Sequence, residues 1–145
     1  MKKILIIALC LLCFQAKSQS FSGFEVGEII DFLKKKKEQN NKFEYEVHQK
    51  ENKNTSQINV YINKVLFFVY AIDNNICTID IAVTYNKDME KSVLNGLEDA
   101  IQVDENTWIQ WNESDFSRSL KVTRTLRDDG VTLWKSNLLK YEITK

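Results

Sequence analysis

One histidine, His48, and one cysteine beyond the first twenty residues, Cys77, limit the chemistry this chain can perform. Zinc sites draw several His or Cys ligands at short fixed spacing. Two isolated residues do not supply that, so no metal centre or haem is expected. No acidic run has calcium-loop spacing, and Asp128-Asp129-Gly130 reads as a turn. There is no Gly-x-Ser-x-Gly and no glycine-rich phosphate loop, so no cofactor is expected.

Acid–base chemistry needs a titrating group held against a substrate. His48 is the one histidine available for it, but it shares the polar parity of an outer strand with Glu46, among Gln49 and Lys50, and is expected in solvent. The pairs Glu98-Asp99 and Asp104-Glu105 fall at a helix end and in the loop after it. Asp80 differs, because it interrupts a strand rich in apolar side chains. A helix laid over that face would bury it and oblige it to find a partner. No catalytic residue is assigned. A carboxylate-dependent hydrolase would need Asp80 and His48, or two acids, in one cleft.

The aromatic residues are the other resource. Trp and Tyr carry much of the energy of binding surfaces. Trp108, Trp111 and Trp134 are the candidate binding residues, with Tyr61, Tyr70 and Tyr141 as further lining. Trp108 and Trp111 lie on opposite parities of one short segment, so at least one should be less deeply buried. The competing reading places the tryptophans in the core.

The N-terminus addresses the chain. Met1-Lys2-Lys3 is positive, residues 4–14 are apolar, and Ala16, Ser18 and Ser20 are small. That is the order of a secretory signal peptide. Eleven apolar residues span about 16 Å as a helix, against about 30 Å of hydrocarbon. The reading is a signal peptide at 1–18, cut after Ser18, with a cut after Ser20 nearly as good. Lipidation at Cys10 or Cys13 wants a small residue before the cysteine, and Leu9 and Leu12 stand there instead.

Without residues 1–18 the 145-residue chain leaves 127, and the loss of Lys2, Lys3 and Lys17 turns 20 bases against 20 acids into 17 against 20. So weak a field gives no argument for nucleic acid. No later segment is long enough to span a membrane. A lone Cys77 excludes an internal disulfide. Four lysines, 34–37, read as a solvated last helical turn. Asn54-Thr55-Ser56 and Asn112-Glu113-Ser114 are glycosylation sequons, incidental in the bacterium that the Lys-, Asn- and Ile-rich usage points to.

These residues sit on a short series of elements. Ser22 and Glu25 look like a capping box, with Val26, Ile29, Ile30 and Leu33 as the helix's apolar stripe. Residues 42–51 and 57–62 alternate as strands, with an interruption at Asn63-Lys64. Residues 65–72 are apolar nearly throughout, as in a central strand covered on both faces. After a turn at 73–75, Cys77, Ile79, Ile81, Val83 and Tyr85 share an oily parity, opposite Thr78, Asp80, Ala82 and Thr84. A second helix is expected over 87–102, capped by Asn86. Strands over 107–112, 118–127 and 131–143 follow, the last two joined at Asp128-Asp129-Gly130.

The expected fold is α+β: one domain over 19–145, a mostly antiparallel meander of six to seven strands with two helices on one face. The halves suggest an α-β-β-β pseudo-repeat offset by 55 to 56 residues. The expected function is an exported, noncatalytic binding or interaction domain. Its partner would be a protein or small ligand of the periplasm, cell envelope or exterior. The hydrolase is one alternative, and a periplasmic inhibitor or immunity protein is another.

Overall fold

A computed structural model describes residues 20–51 and 54–143. The signal peptide expected at 1–18 lies outside the described residues. The elements are α1 (Val26–Gln39), β1 (Phe43–Gln49), β2 (Thr55–Ile62), β3 (Val65–Asp73), β4 (Ile76–Thr84), α2 (Lys87–Gly96), β5 (Ile101–Asp104), β6 (Thr107–Gln110), a 3₁₀ turn (Phe116–Arg118), β7 (Leu120–Leu126), β8 (Thr132–Leu138) and α3 (Leu139–Ile143). Eight strands form one antiparallel sheet in the order β1-β2-β3-β4-β8-β7-β6-β5. The architecture is the expected α+β meander, with one strand beyond the expected number.

The additional strand is β5. It covers residues expected to belong to the second helix. That helix ends at Gly96 instead, where the missing side chain weakens helical propensity. Leu97 N bonds back to Leu94 O at 3.0 Å, tightening the last turn. The pseudo-repeat is therefore α-β-β-β-β, not α-β-β-β. Its two halves meet where β4 pairs with β8. Asp80 stands opposite Ser136 there, and the step between them, 56 residues, matches the offset between the halves.

Local chemistry explains most boundaries. Asn86 caps α2 as expected, its side chain accepting from Met89 N at 2.9 Å. The cap expected at Ser22 is corrected: α1 begins after Glu25, whose N–H donates to the Glu28 carboxylate at 3.1 Å. Asn63-Lys64 and Asn74-Asn75 all have positive φ, between 50° and 68°, and close tight hairpins as their types permit. The last strand is also shorter than expected, since 139–143 turn into α3.

Ile29 and Leu33 of α1 and Met89 and Val93 of α2 share one apolar cluster with Ile58, Val60, Tyr70, Trp108, Val122 and Trp134. Each buried aliphatic chain contributes on the order of 1.5–3 kcal/mol. The opposite face is only partly covered, so β3 does not carry two buried faces as expected. Its Leu66, Val69 and Ala71 are half-buried. The short α3 reaches that second face, where Glu142 accepts from Asn137 Nδ2 at 3.1 Å and lies 3.6 Å from Lys121 Nζ.

The largest correction concerns β4. Ala71 pairs with Ile79 and Ile72 with Cys77, so Thr78 is an extra residue, a β-bulge. Past a bulge the parity inverts. Cys77 and Asp80 therefore share the helix-covered face, while Ile79 and Ile81 turn to the other.

Arg124 ties the second half together. Its Nε donates to Asn106 Oδ1 at 2.9 Å and its Nη2 to Glu105 O at 2.8 Å. Its guanidinium lies 5.5 Å from the Trp108 ring centre and 5.7 Å from that of Trp134. We expect Arg124→Ala to lower the unfolding free energy by about 2–3 kcal/mol and Arg124→Lys, which lacks the planar fork, to recover less than half of it, as read by urea unfolding.

Candidate functional site

The three tryptophans have different fates. Trp134 is 2% exposed and donates its Nε1–H to Thr84 Oγ1 at 3.0 Å. Trp108 is buried against it, with ring centres 5.7 Å apart. Both complete the core beneath α2, so of the three candidate binding residues these two have buried rings. Trp111, just past the end of β6, is 54% exposed.

Trp111 does not stand alone. The Phe116 ring lies 5.2 Å from it, centre to centre, and the pair forms an aromatic ledge. The connecting loop is held by its own side chains. Asn112 Oδ1 accepts from Ser114 N at 3.1 Å, Ser114 Oγ at 2.8 Å and Asp115 N at 3.1 Å. Asp115 Oδ1 accepts from Ser117 Oγ at 2.6 Å and Ser117 N at 3.0 Å. The Ser117 hydroxyl is the main reason the Asp115 carboxyl titrates below its ordinary range. Short polar residues thus replace a hydrogen-bond ladder and fix the loop.

Trp111 borders a cleft of about 850 Å³ between the end of α2 and this loop. Asn95, Gln110 and Asn112 line it with amides, and Glu98, Asp99 and Glu113 oppose the single guanidinium of Arg118. Gln110 Nε2 reaches Gly96 O at 3.4 Å, tying strand to helix end. Of this set the sequence itself marks Trp111, the pair Glu98-Asp99 and the sequon Asn112-Glu113-Ser114. Gln110 and Arg118 carried no local signal, because only the ends of β6 and of the 3₁₀ turn bring them here.

Asp80 makes a second feature. It is 4% exposed and lies opposite Tyr70 and Ser136. Its Oδ2 accepts from Phe21 N at 2.9 Å and Ser20 Oγ at 3.1 Å. Burial pushes its pKa up to about 6, and those two donors only partly oppose the rise. Residues 22–25, expected to start a helix, instead lie along the bulged end of β4. Gly23 N donates to Cys77 O at 2.7 Å and Cys77 N to Phe24 O at 2.9 Å. Gly23 has φ of +92°, and a Cβ there would meet Leu138 Cδ1 at 2.9 Å. The Ser22 hydroxyl donates to Ser136 O at 2.9 Å.

The remaining candidates disperse. The strand registers place His48 with Gln57, Ala71 and Ile79, on the face opposite Asp80 and three strands away. His48 Nε2 lies 3.0 Å from Glu46 Oε2 at the exposed edge. The two cannot converge on one substrate. Burial, followed by the neighbouring Asp80 charge, pushes the Cys77 thiol up, so it stays un-ionised. Lys34, Lys35 and Lys37 point into solvent, and Lys36 lies over the Phe32 ring at 5.4 Å. Asp104 accepts from Asn106 N within its turn. Among the described residues no three His, Cys, Asp or Glu side chains gather as metal ligands, and no helix is long and apolar enough to cross a membrane. No known protein family, characterised protein or solved structure matches this chain.

The Asp80 site generates a pH test for the chain with Phe21 inside a peptide bond. Its folded pKa, about 6, exceeds its ordinary 3.8. The folded state then holds the proton more tightly, so the stabilisation is complete below about pH 4 and lost as pH rises through 6. Urea unfolding at pH 4 and pH 7 should show the native chain losing on the order of 2–3 kcal/mol relative to Asp80→Asn. Parallel pH curves for the two chains would contradict this assignment.

Proposed function

We propose that this chain is an exported, noncatalytic binding domain that takes a neutral glycan in the Trp111 cleft. The observation carrying the reading is the exposed Trp111–Phe116 ledge on a loop already fixed by its own hydrogen bonds. A large exposed indole lacks burial as a reason for its position, whereas a ligand that covers it supplies one. Prior fixing of the loop reduces the ordering cost of binding.

The lining supports the ligand class. A pyranose ring offers a C–H face to an aromatic plane and hydroxyls at its edge. Amides, which accept and donate side by side, and carboxylates, which accept, suit those hydroxyls. Three carboxylates against one guanidinium disfavour an anion. The volume lies within the range of small-ligand sites. Export is supported by the charged, apolar and small-residue order of the first eighteen residues.

A second reading, an inhibitor or immunity protein, is favoured by one observation. Edge strand β5 exposes Ile101 at 60% and Val103 at 62%, beside unpaired backbone groups. Such an edge is a template for another strand.

The two readings separate experimentally. Trp108 and Trp134 are buried, so a ligand-induced emission change reports Trp111. We expect titration with neutral β-linked glucose or N-acetylglucosamine oligomers to shift that emission. Trp111→Ala should weaken binding at least tenfold, about 1.4 kcal/mol, while Trp111→Phe retains part of it. Unchanged emission across such a panel, or equal binding by Trp111→Ala, would remove the glycan reading. For the second reading, Ile101→Lys should abolish pull-down of a co-exported protein while leaving oligosaccharide titration intact.

A further inference from the structure

Among the described residues, Asp80 is a buried carboxylate with no cation beside it. Its partners are a hydroxyl, Ser20 Oγ, and a backbone N–H, Phe21 N. Among the described residues no basic side chain makes an ion pair with it. Buried charges are ordinarily paired. The one nitrogen within hydrogen-bond distance that ordinary processing could turn into a cation is that of Phe21.

We propose that the export leader is cut between Ser20 and Phe21, and that the α-ammonium so created seats on the Asp80 carboxylate. The proposal rests on the exported reading and names its cleavage site. In the step, water adds across the Ser20–Phe21 peptide bond and the C–N bond breaks. The Ser20 carbonyl carbon takes the oxygen and leaves as a carboxylate on the leader. The Phe21 nitrogen gains the protons that make it an ammonium. Ser18 and Ser20 supply the small residues that such a cut requires.

The surrounding packing holds that nitrogen in place. The Phe21 ring meets those of Phe32 at 5.1 Å, Tyr70 at 5.3 Å and Phe24 at 5.6 Å, each edge to face. Immediately after it, Ser22, Gly23 and Phe24 are fixed to Ser136 and Cys77. The chain is thus anchored from residue 21 onward. Among the described residues, the Ser20 contacts run through its hydroxyl, to Asp80, Ser22 Oγ and Ser22 N. A cut after Ser18 would leave Phe21 N an amide and Asp80 facing neutral donors. A cut after Ser20 exchanges Ser20's hydrogen bonds for a charge-assisted pair between N and Oδ2, already 2.9 Å apart. Processing then completes the core, because the precursor lacks the pair that the mature chain gains.

The groups facing Asp80 are the Cys77 thiol on its own strand, the Tyr70 phenol on β3, Ser136 on β8, and Ser20 and Phe21 of the docked segment. With the ammonium in place a positive charge favours the ionised carboxylate and opposes the rise that burial causes, so the loss of stability on raising the pH shrinks.

The test is to express the full chain in a secreting bacterial host and read the first residue of the processed chain by intact mass. A mature chain starting at Phe21 supports the proposal. One starting at Gln19, or elsewhere within the exported fraction, overturns it and leaves export standing. An uncut chain retained inside the cell overturns export and the proposal together. On the processed chain, acetylating the α-amine should raise the unfolding equilibrium constant at least tenfold. The same acetylation in Asp80→Asn should change it less than twofold. Equal effects in the two backgrounds would overturn the ion pair even if the cut is found at Phe21.

Discussion

The fold depends on one extra residue. Thr78, inserted into β4 opposite Ala71 and Ile72, inverts the strand's parity at the centre of the sheet. Were Thr78 paired as a regular strand residue, Cys77 and Asp80 would face opposite ways. With it, both lie under the helices, and the bulged end of β4 offers its backbone groups to a new neighbour. β8 begins to pair only from Ile79 onward, so the edge of β4 beside Cys77 is open. Residues 23–25 fill it, through hydrogen bonds to Cys77 and the Glu25–Ile76 bridge. The bulge thereby explains both the buried acid and the docked N-terminal segment that serves it.

Much of this was legible from the sequence, for local reasons. Asn63-Lys64 and Asn74-Asn75 announced their hairpins because few residue types tolerate positive φ. Asn86 announced a helix start, and the stripes of α1 and α2 announced a shared apolar surface. What failed to show were features set by distant partners. The bulge at Thr78 is invisible in an alternating strand, since each side of it alternates correctly by itself. That is why Cys77 and Ile79 were grouped on one face. Ser22 resembled a cap until the carbonyl of Ser136, 114 positions away, competed for its hydroxyl. β5 was hidden because Ile101 also continues the helical stripe of α2, and only pairing with β6 decides between the periods.

Asp80 illustrates the boundary between these classes. Its strangeness in the strand was readable, as was its need for a partner once covered. The partner's identity was not, because a backbone nitrogen leaves no mark in a sequence. Trp111 is the complementary case. Its parity relative to Trp108 showed that one of the two would be exposed, but the Phe116 ledge arises from a loop fixed by Asn112 and Asp115 rather than from any periodicity.

The position of the cleft follows from how the two halves depart from symmetry. The first half has a helix of 14 residues and outer strands of 7 and 8. The second has a helix of 10 and outer strands of 4 and 4. Gly96 ends α2 early, and β6 stops at Gln110, so neither element covers the space beyond. In the first half the longer helix spans its strands and keeps Ile29 and Leu33 buried. In the second, the uncovered space is bordered by a helix end, a strand end and a loop. Those are the places where backbone no longer satisfies itself and polar side chains must. The shortened repeat therefore yields a polar opening edged by Trp111, beside the core that Trp108 and Trp134 complete. The unshortened repeat joins it at the β4–β8 seam, where Asp80 stands opposite Ser136, and the two halves share one apolar cluster.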